Sequence, residues 1–323
     1  MLIAGCNATV EIFNGDFKTK NFPNLPSKPL ASTMVMHNGT ILLSGGIDDD
    51  LECLQLSHGT WKVHSILNED RIHHSTVSAQ NTTFIFGGKR SKRTFEYLPK
   101  ESTKWLMGKT EIPGGFNFGC AIAVKSEQEI WLIGGKDTEK RIVSFNVSNH
   151  TFQVIPTQLI VDSIWGWKSA LIPNTNKVMV IGFGPGDVGE NIAEIIDTED
   201  LSVTTTSPLN ARREFYWMDI IKINGEDKLV VFGGYDRSLQ PYKTIELKSI
   251  EIYNSQTNKW ETTNKTFNGK KSGYDFLKVK LSDIIPELRC SVDYFRFWPV
   301  LANVEHNCNL KYFLVCTSNT ITY

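Results

Sequence analysis

The sequence has no long apolar run. Its apolar stretches, such as residues 229–232 (LVVF) and 312–316 (YFLVC), are far shorter than the roughly 20 residues of a bilayer-spanning helix, so no membrane span is expected. It also lacks an excess of either charge. The 34 Lys plus Arg balance 35 Asp plus Glu, which leaves no basic surplus for a phosphate backbone and no acidic surplus to keep the chain unfolded. Nucleic acid is therefore not an expected partner. The six cysteines (Cys6, Cys53, Cys120, Cys290, Cys308, Cys316) contain no close pair, so zinc spacings such as Cys-x-x-Cys are absent, while the even count permits disulfides. The first six residues have no basic segment and few apolar residues before Asn7, so no export signal is expected within the chain as given. No Gly-x-Ser-x-Gly elbow or comparable nucleophile motif occurs.

What the sequence does contain is a repeat. With 323 residues and 41% hydrophobic content, the chain suits either two domains or one large repeat architecture. A short apolar run ending in a glycine doublet recurs at residues 41–46 (ILLSGG), 84–88 (FIFGG), 130–135 (IWLIGG) and 229–234 (LVVFGG). A degenerate copy stands at 178–184 (VMVIGFG), and the opening MLIAGC places Cys6 where a second glycine belongs. The spacing of about 40 to 50 residues is that of propeller blades.

Between doublets the order repeats as well. A strand built around a glutamate recurs at Glu11, Glu96, Glu194 and Glu251, and a large apolar residue follows it, as in Trp61, Trp105, Phe152 and Trp260. A further strand precedes each doublet and joins it through turn residues such as Asn38-Gly39 or Asn224-Gly225, which suit tight hairpins. Each unit is thus four antiparallel strands. One such sheet cannot bury both its faces, so the units must stack and close into a ring. Three strands lie within residues 2–22, and full blades follow at about 30–67, 71–110, 115–157, 164–208 and 212–266. The first blade lacks its innermost strand, which residues 271–281 (KSGYDFLKVKL) are expected to supply.

The doublets, the third-strand aromatic and the fourth-strand Trp resemble the kelch repeat over residues 1–282. The expected fold is all-β: a six-bladed kelch-type β-propeller with four antiparallel strands per blade, its first blade closed by a C-terminal innermost strand. Residues 283–323, with three of the six cysteines, form an extension without blade pattern. The fifth blade departs from the repeat, with Leu201 or Val203 where Trp is expected.

Other motifs weigh less. Residues 184–189 (GPGDVG), followed by NIAEII and Asp197, formally match a dinucleotide fingerprint. They also fall in register with the repeat, so a blade loop and a strand are expected there. His73 and His74, adjacent on a strand, would point to opposite faces and could not share a metal as neighbours. No metal site, cofactor or catalytic set is expected. Six Asn-x-Ser/Thr sequons occur, of which Asn38, Asn81, Asn146 and Asn149 fall in hairpin turns at one end of the expected propeller. They are candidate glycosylation sites, although turns favour Asn for their own reasons.

The other end is the channel-mouth face, built from the turns after each doublet and the entries to the innermost strands. The kelch resemblance implies that this face binds peptides. Its expected residues are Arg71, His73, Lys89, Arg90, Arg93, Lys136, Trp165, Trp167, Arg212, Arg213, Tyr235 and Arg237. Arginine forks and aromatic anchors around a mouth suit an extended acidic segment of a partner protein. The expected function is a non-catalytic interaction module. The alternative is a propeller enzyme, either a copper radical oxidase or a sugar-active enzyme, with its chemistry at the mouth. The sequons fit a secreted protein if the true N-terminus lies upstream; otherwise a cytoplasmic one is expected.

Overall fold

The structure is a computed structural model that describes residues 2–4, 10–13, 19–22, 32–46, 51–57, 60–116, 120–135, 140–160, 165–183, 191–236, 245–266 and 275–277. All of its regular structure is β. Six four-stranded antiparallel sheets form the blades of a propeller. Blade 2 comprises Thr33–His37, Thr40–Ser44, Glu52–Ser57 and Thr60–Ile66. Blade 3 comprises Ser75–Ala79, Thr82–Phe86, Phe95–Pro99 and the short edge Leu106–Met107. Blade 4 runs from Ala121–Ser126 to Thr151–Gln158, and blade 5 from Trp165–Leu171 to Val203–Thr205. Blade 6 is built from Trp217–Ile223, Glu226–Phe232, Ser249–Asn254 and Lys259–Thr266. The innermost strands of blades 1 to 6 neighbour one another in sequence order around the ring.

Blade 1 is shared between the two ends of the chain. Leu2–Ala4, Val10–Phe13 and Thr19–Phe22 are completed by Asp275–Leu277, whose register pairs Leu2 with Leu277 and Ala4 with Asp275. The C-terminal innermost strand expected from the repeat is in place. Residues 278–323, including the C-terminal extension, lie outside the described residues.

The glycine doublets end the second strand of each blade because the chain must turn there against its neighbour. Gly45 has φ +63°, and a Cβ on it would stand 2.5 Å from the Arg71 carbonyl oxygen. Gly234 has φ +78°, and a Cβ would meet the Glu214 carbonyl at 2.5 Å. Both the left-handed backbone and the close approach require glycine. In blade 5 the doublet's first glycine is Gly182, which follows the buried Ile181 as Gly233 follows Phe232. The segment after the fingerprint-like glycines, Asn191–Asp197, is a strand paired with Lys177–Phe183. The glycine turn itself, 184–190, lies outside the described residues.

The core lies between blades. Between blades 3 and 4, Phe84, Phe86, Phe95, Phe116 and Phe145 are fully buried. Phe84, Phe86 and Phe95 each meet Phe145 edge to face, with the Phe86 and Phe145 centroids 5.0 Å apart. Such a pair contributes about 0.5–1.5 kcal/mol beyond the burial of its area. Tyr216, Tyr253 and Trp260 join Met179, Ile181 and Leu229 between blades 5 and 6. In blade 5, Leu201 and Val203 pack half-buried where other blades use Trp, so the degenerate repeat still covers its neighbour. Cys53 and Cys120 are buried free thiols.

Candidate functional site

The channel-mouth face is built from connectors that leave each outer strand and enter the next inner strand. Each connector is anchored in the same way. In blades 2 to 5 an apolar connector residue donates its backbone N–H to a carbonyl at or just before the start of that blade's third strand: Leu67 to Leu51, Ile112 to Arg93, Leu159 to Lys140 and Leu209 to Asn191, at 2.8–3.2 Å. Two blades add a buried ion pair to this anchor.

In blade 3, the Glu96 carboxylate accepts hydrogen bonds from the backbone N–H of Asn68 (2.8 Å) and Glu69 (3.2 Å), and from Asn68 Nδ2 (2.7 Å) and Arg71 Nε (3.0 Å). Arg71 donates further to the carbonyls of Gly87 and Thr94. In blade 6 the pattern returns. Glu251 accepts from the N–H of Asn210 (2.6 Å) and Ala211 (3.2 Å) and from Arg213 Nε (3.0 Å) and Nη2 (2.9 Å). Arg213 also donates to Gly233 O and Ser249 Oγ. The asparagines complete the match, Asn68 Nδ2 donating to Trp105 O and Asn210 Nδ2 to Trp260 O. Both arginines and both glutamates have side chains with 0% exposure. Such charges are tolerated in an interior because each is paired and its remaining hydrogen-bonding groups are satisfied.

This corrects the sequence reading of two rim residues. Arg71 and Arg213 do not present guanidinium groups to a partner, because a glutamate from the third strand of the same blade captures each inside the sheet. Tyr235 is likewise buried, at 7% exposure, and pairs its backbone with Glu214 in both directions at 2.9 and 3.0 Å. The other described rim residues are accessible. His73 is half-buried at φ +53°, and burial lowers its affinity for a proton. Lys89, Arg90 and Arg93 are exposed, Arg90 pairing with Asp70 and Arg93 with Glu111 at 2.8 Å. Arg212 is the exception: its side chain is only 11% exposed and lies 3.8 Å from Glu214. Lys136 and Arg237 lie outside the described residues; Trp165 and Trp167 occupy the innermost strand of blade 5, with side chains outside the description.

One rim residue was missed. Phe215 is 45% exposed at φ +51°, a left-handed conformation that is rare for a bulky side chain. Its ring stacks on Tyr235 with centroids 5.5 Å apart. The residues on either side are fixed: Glu214 by the backbone pair with Tyr235, and Tyr216 by its hydroxyl, which donates to Ile181 O at 2.9 Å. Asn191 holds the preceding turn through the Arg213 N–H and carbonyl. His73 occupies the same place in blade 3, two residues after the buried arginine and also at positive φ. The legible signal was the repeated Asn-x-x-Arg at 68–71 and 210–213, with Phe215 and His73 at one offset beyond it.

The opposite end carries the inner and outer hairpin turns. Asn38 (φ +47°) and Asn81 (φ +58°) are exposed at inner turns. Asn146 and the exposed Asn149 lie in the outer turn of blade 4, where their side-chain oxygens accept backbone N–H bonds from Ser148, Asn149 and Thr151. Among the described residues, no group of three or more His, Cys, Asp or Glu has the spacing of metal ligands, and no helix is long and apolar enough to cross a membrane.

Comparison with known proteins places these features. The family model of the Kelch motif matches residues 225–265, which are the last three strands of blade 6 and hold Glu251 and Trp260. A kelch repeat-containing protein of Dictyostelium discoideum is 23% identical over 286 residues, covering 79% of this chain and 41% of its own length. The chain therefore spans about two-fifths of that curated relative. Kelch propellers are generally protein-interaction modules. With glycine doublets and six four-stranded sheets among the described residues, this chain is a β-propeller whose repeat is similar to the kelch motif.

Proposed function

We propose that the chain is a non-catalytic interaction module whose channel-mouth face takes an extended, acidic segment of a partner protein. The observation that carries this reading is Phe215, an aromatic ring held half-exposed and backbone-strained on a rigid support. Strain of this kind costs about 1–3 kcal/mol and collects at ligand clamps, and large rings on rigid supports are the usual anchors of interfaces. Blades 3 and 6 are three apart in a ring of six, so the basic turn at residues 89–93 faces Phe215 across the mouth. That turn carries four exposed cations, Lys89, Arg90, Lys92 and Arg93, with Arg90 beside Asp70 and Arg93 beside Glu111. Its exposed charges steer an acidic segment and set salt dependence, while the ring supplies the buried contact.

The test is binding of fluorescent acidic peptides from an extended-peptide library to the propeller and two variants. Phe215→Ala is expected to weaken the selected peptides by at least about tenfold, the loss of one aromatic anchor. Lys92→Glu with Arg93→Glu is expected to remove most of the salt dependence. Peptides bound equally by all three proteins would overturn the proposed face.

A further inference from the structure

We propose that a cleft in blade 4, at the end of the propeller opposite the channel mouth, binds a neutral polyhydroxylated ligand of the sugar class. One small residue breaks the repeat there. In blades 2, 3, 5 and 6 the residue three before the first glycine of the doublet faces Gln55, Tyr97, Ile195 or Ile252 across the sheet. In blade 4 that place is held by Trp131, which faces Ser144. The space filled by larger side chains elsewhere is open here as a cavity of about 340 Å³, lined by Glu129, Ser144, Asn146 and Thr151 among others. Its size lies at the lower end of the about 300–1,000 Å³ typical of small-molecule sites.

The hydrogen bonds within blade 4 fix what this lining offers. Ser144 Oγ and Trp131 Nε1 both donate to Glu129 Oε1, at 2.7 and 2.8 Å, so the Ser144 proton is engaged and its oxygen is left to accept. Asn146 Oδ1 accepts the N–H groups of Ser148 and Asn149, which leaves Nδ2 as its free donor. Thr151 Oγ1 donates to Asn149 Oδ1 at 2.6 Å and keeps its lone pairs for a ligand. Glu129, Asn146 and Thr151 lie directly opposite one another on three adjacent strands, about 4.8 Å apart, so one hydroxyl can bridge each neighbouring pair at ordinary hydrogen-bond lengths. Because a hydroxyl donates and accepts at once, this row of acceptor, donor and acceptor suits the vicinal hydroxyls of a sugar ring. Partial burial raises the Glu129 pKa, but the bonds from Ser144 and Trp131 and the nearby Lys125 outweigh it, and the carboxylate stays ionised. Lys125 Nζ, 3.3 Å from Oε2, balances that charge, and the other lining residues are uncharged. The cleft therefore fits a neutral ligand better than a metal ion or an amine.

The experiment is saturation-transfer NMR on the full chain, prepared without N-glycans, with a panel of methyl hexopyranosides and N-acetylglucosamine. That preparation separates a free sugar from a glycan on Asn146 of the same chain, which would present the same chemistry. At least one sugar of the panel is expected to bind saturably, and tetrahydropyran, the ring without its hydroxyls, to give no signal. Ser144→Tyr, which places the blade 3 residue in the cavity, should abolish binding. Asn146→Asp, which keeps the acceptor of the turn and removes the donor, should weaken it about tenfold or more, and Phe215→Ala should leave it unchanged. Circular dichroism checks that each variant folds, and should Ser144→Tyr fail to fold, Asn146→Asp decides. No saturable sugar, tetrahydropyran bound as well as the sugars, or binding unchanged in folded Ser144→Tyr or Asn146→Asp would overturn the proposal. Since the cleft lies at the other end from Phe215, its failure leaves the peptide-binding proposal untouched.

Discussion

Replacing Glu251 by alanine tests the buried anchor of blade 6. The substitution leaves the Arg213 guanidinium inside the sheet at 0% exposure, with Gly233 O and Ser249 Oγ as acceptors but without its countercharge. Removing one partner of a buried pair costs about 3–5 kcal/mol. The N–H groups of Asn210 and Ala211 lose their acceptor as well, at about 1–3 kcal/mol for each that stays dry. These losses share one site and do not add fully. A loss of at least about 3 kcal/mol is therefore expected, a large part of the 5–15 kcal/mol of an ordinary fold. Urea unfolding followed by tryptophan fluorescence and circular dichroism measures it. Glu111→Ala is the control, because its pair with Arg93 is 67% and 53% exposed and contributes about 0–1 kcal/mol. The double variant Glu251→Leu with Arg213→Met should recover most of the loss, since apolar replacement of a whole buried pair is often neutral. If Glu251→Ala falls within 1 kcal/mol of Glu111→Ala, the pair is not buried as described and the reasoning fails.

The other expectations concern the same connectors and turns. Phe215→Asn, which tolerates the left-handed backbone, should keep or raise the urea midpoint while weakening peptide capture; a fall in both would make Phe215 a packing residue. Gly234→Ala, with its Cβ 2.5 Å from Glu214 O, should lower stability by more than about 2 kcal/mol, whereas Gly39→Ala, with open space around it, should lose about 1 kcal/mol from the backbone alone; equal losses would contradict the close approach. Burial depresses His74 to a pKa of about 3, and lowers those of His37 and His64. The unfolded chain therefore binds more protons between about pH 6.5 and pH 3. Stability should be full above pH 6.5 and fall as pH drops through that window, by up to about 1.4 kcal/mol per unit for each histidine, and a flat urea midpoint from pH 7.5 to 5 would refute it. For the sequons, intact mass of protein from its native source, before and after N-glycosidase, decides whether Asn38, Asn81, Asn146 and Asn149 carry glycans or serve as turn residues alone.

Much of the architecture was legible from the chain because it repeats. A glycine doublet at a fixed interval states where each second strand must turn, and a glutamate-bearing strand followed by Trp or Phe states what comes next. The missing strand of blade 1 could be inferred from arithmetic, since one innermost strand was lacking at the start and one of the right character stood at the end. Even the degenerate fifth blade kept its register, which is why residues 191–197 form a strand although they read locally like a helix after a glycine-rich turn.

The functional face was less legible. Arg71 and Arg213 looked like rim cations because an isolated arginine in a connector is normally solvated; their fate depends on Glu96 and Glu251, 25 and 38 residues further on, which strand pairing brings beneath them. Phe215 carries no distinguishing local motif, and what exposes it is its positive φ beside the backbone pair between Glu214 and Tyr235.

The sequence by itself determined the repeat, the strand order and the closure, because hydrophobic period and glycine are local requirements of a backbone. Tertiary structure alone decided which charges are buried and which ring faces solvent. Those outcomes depend on what lies opposite each side chain, and in a propeller that neighbour comes from a distant strand or the next blade.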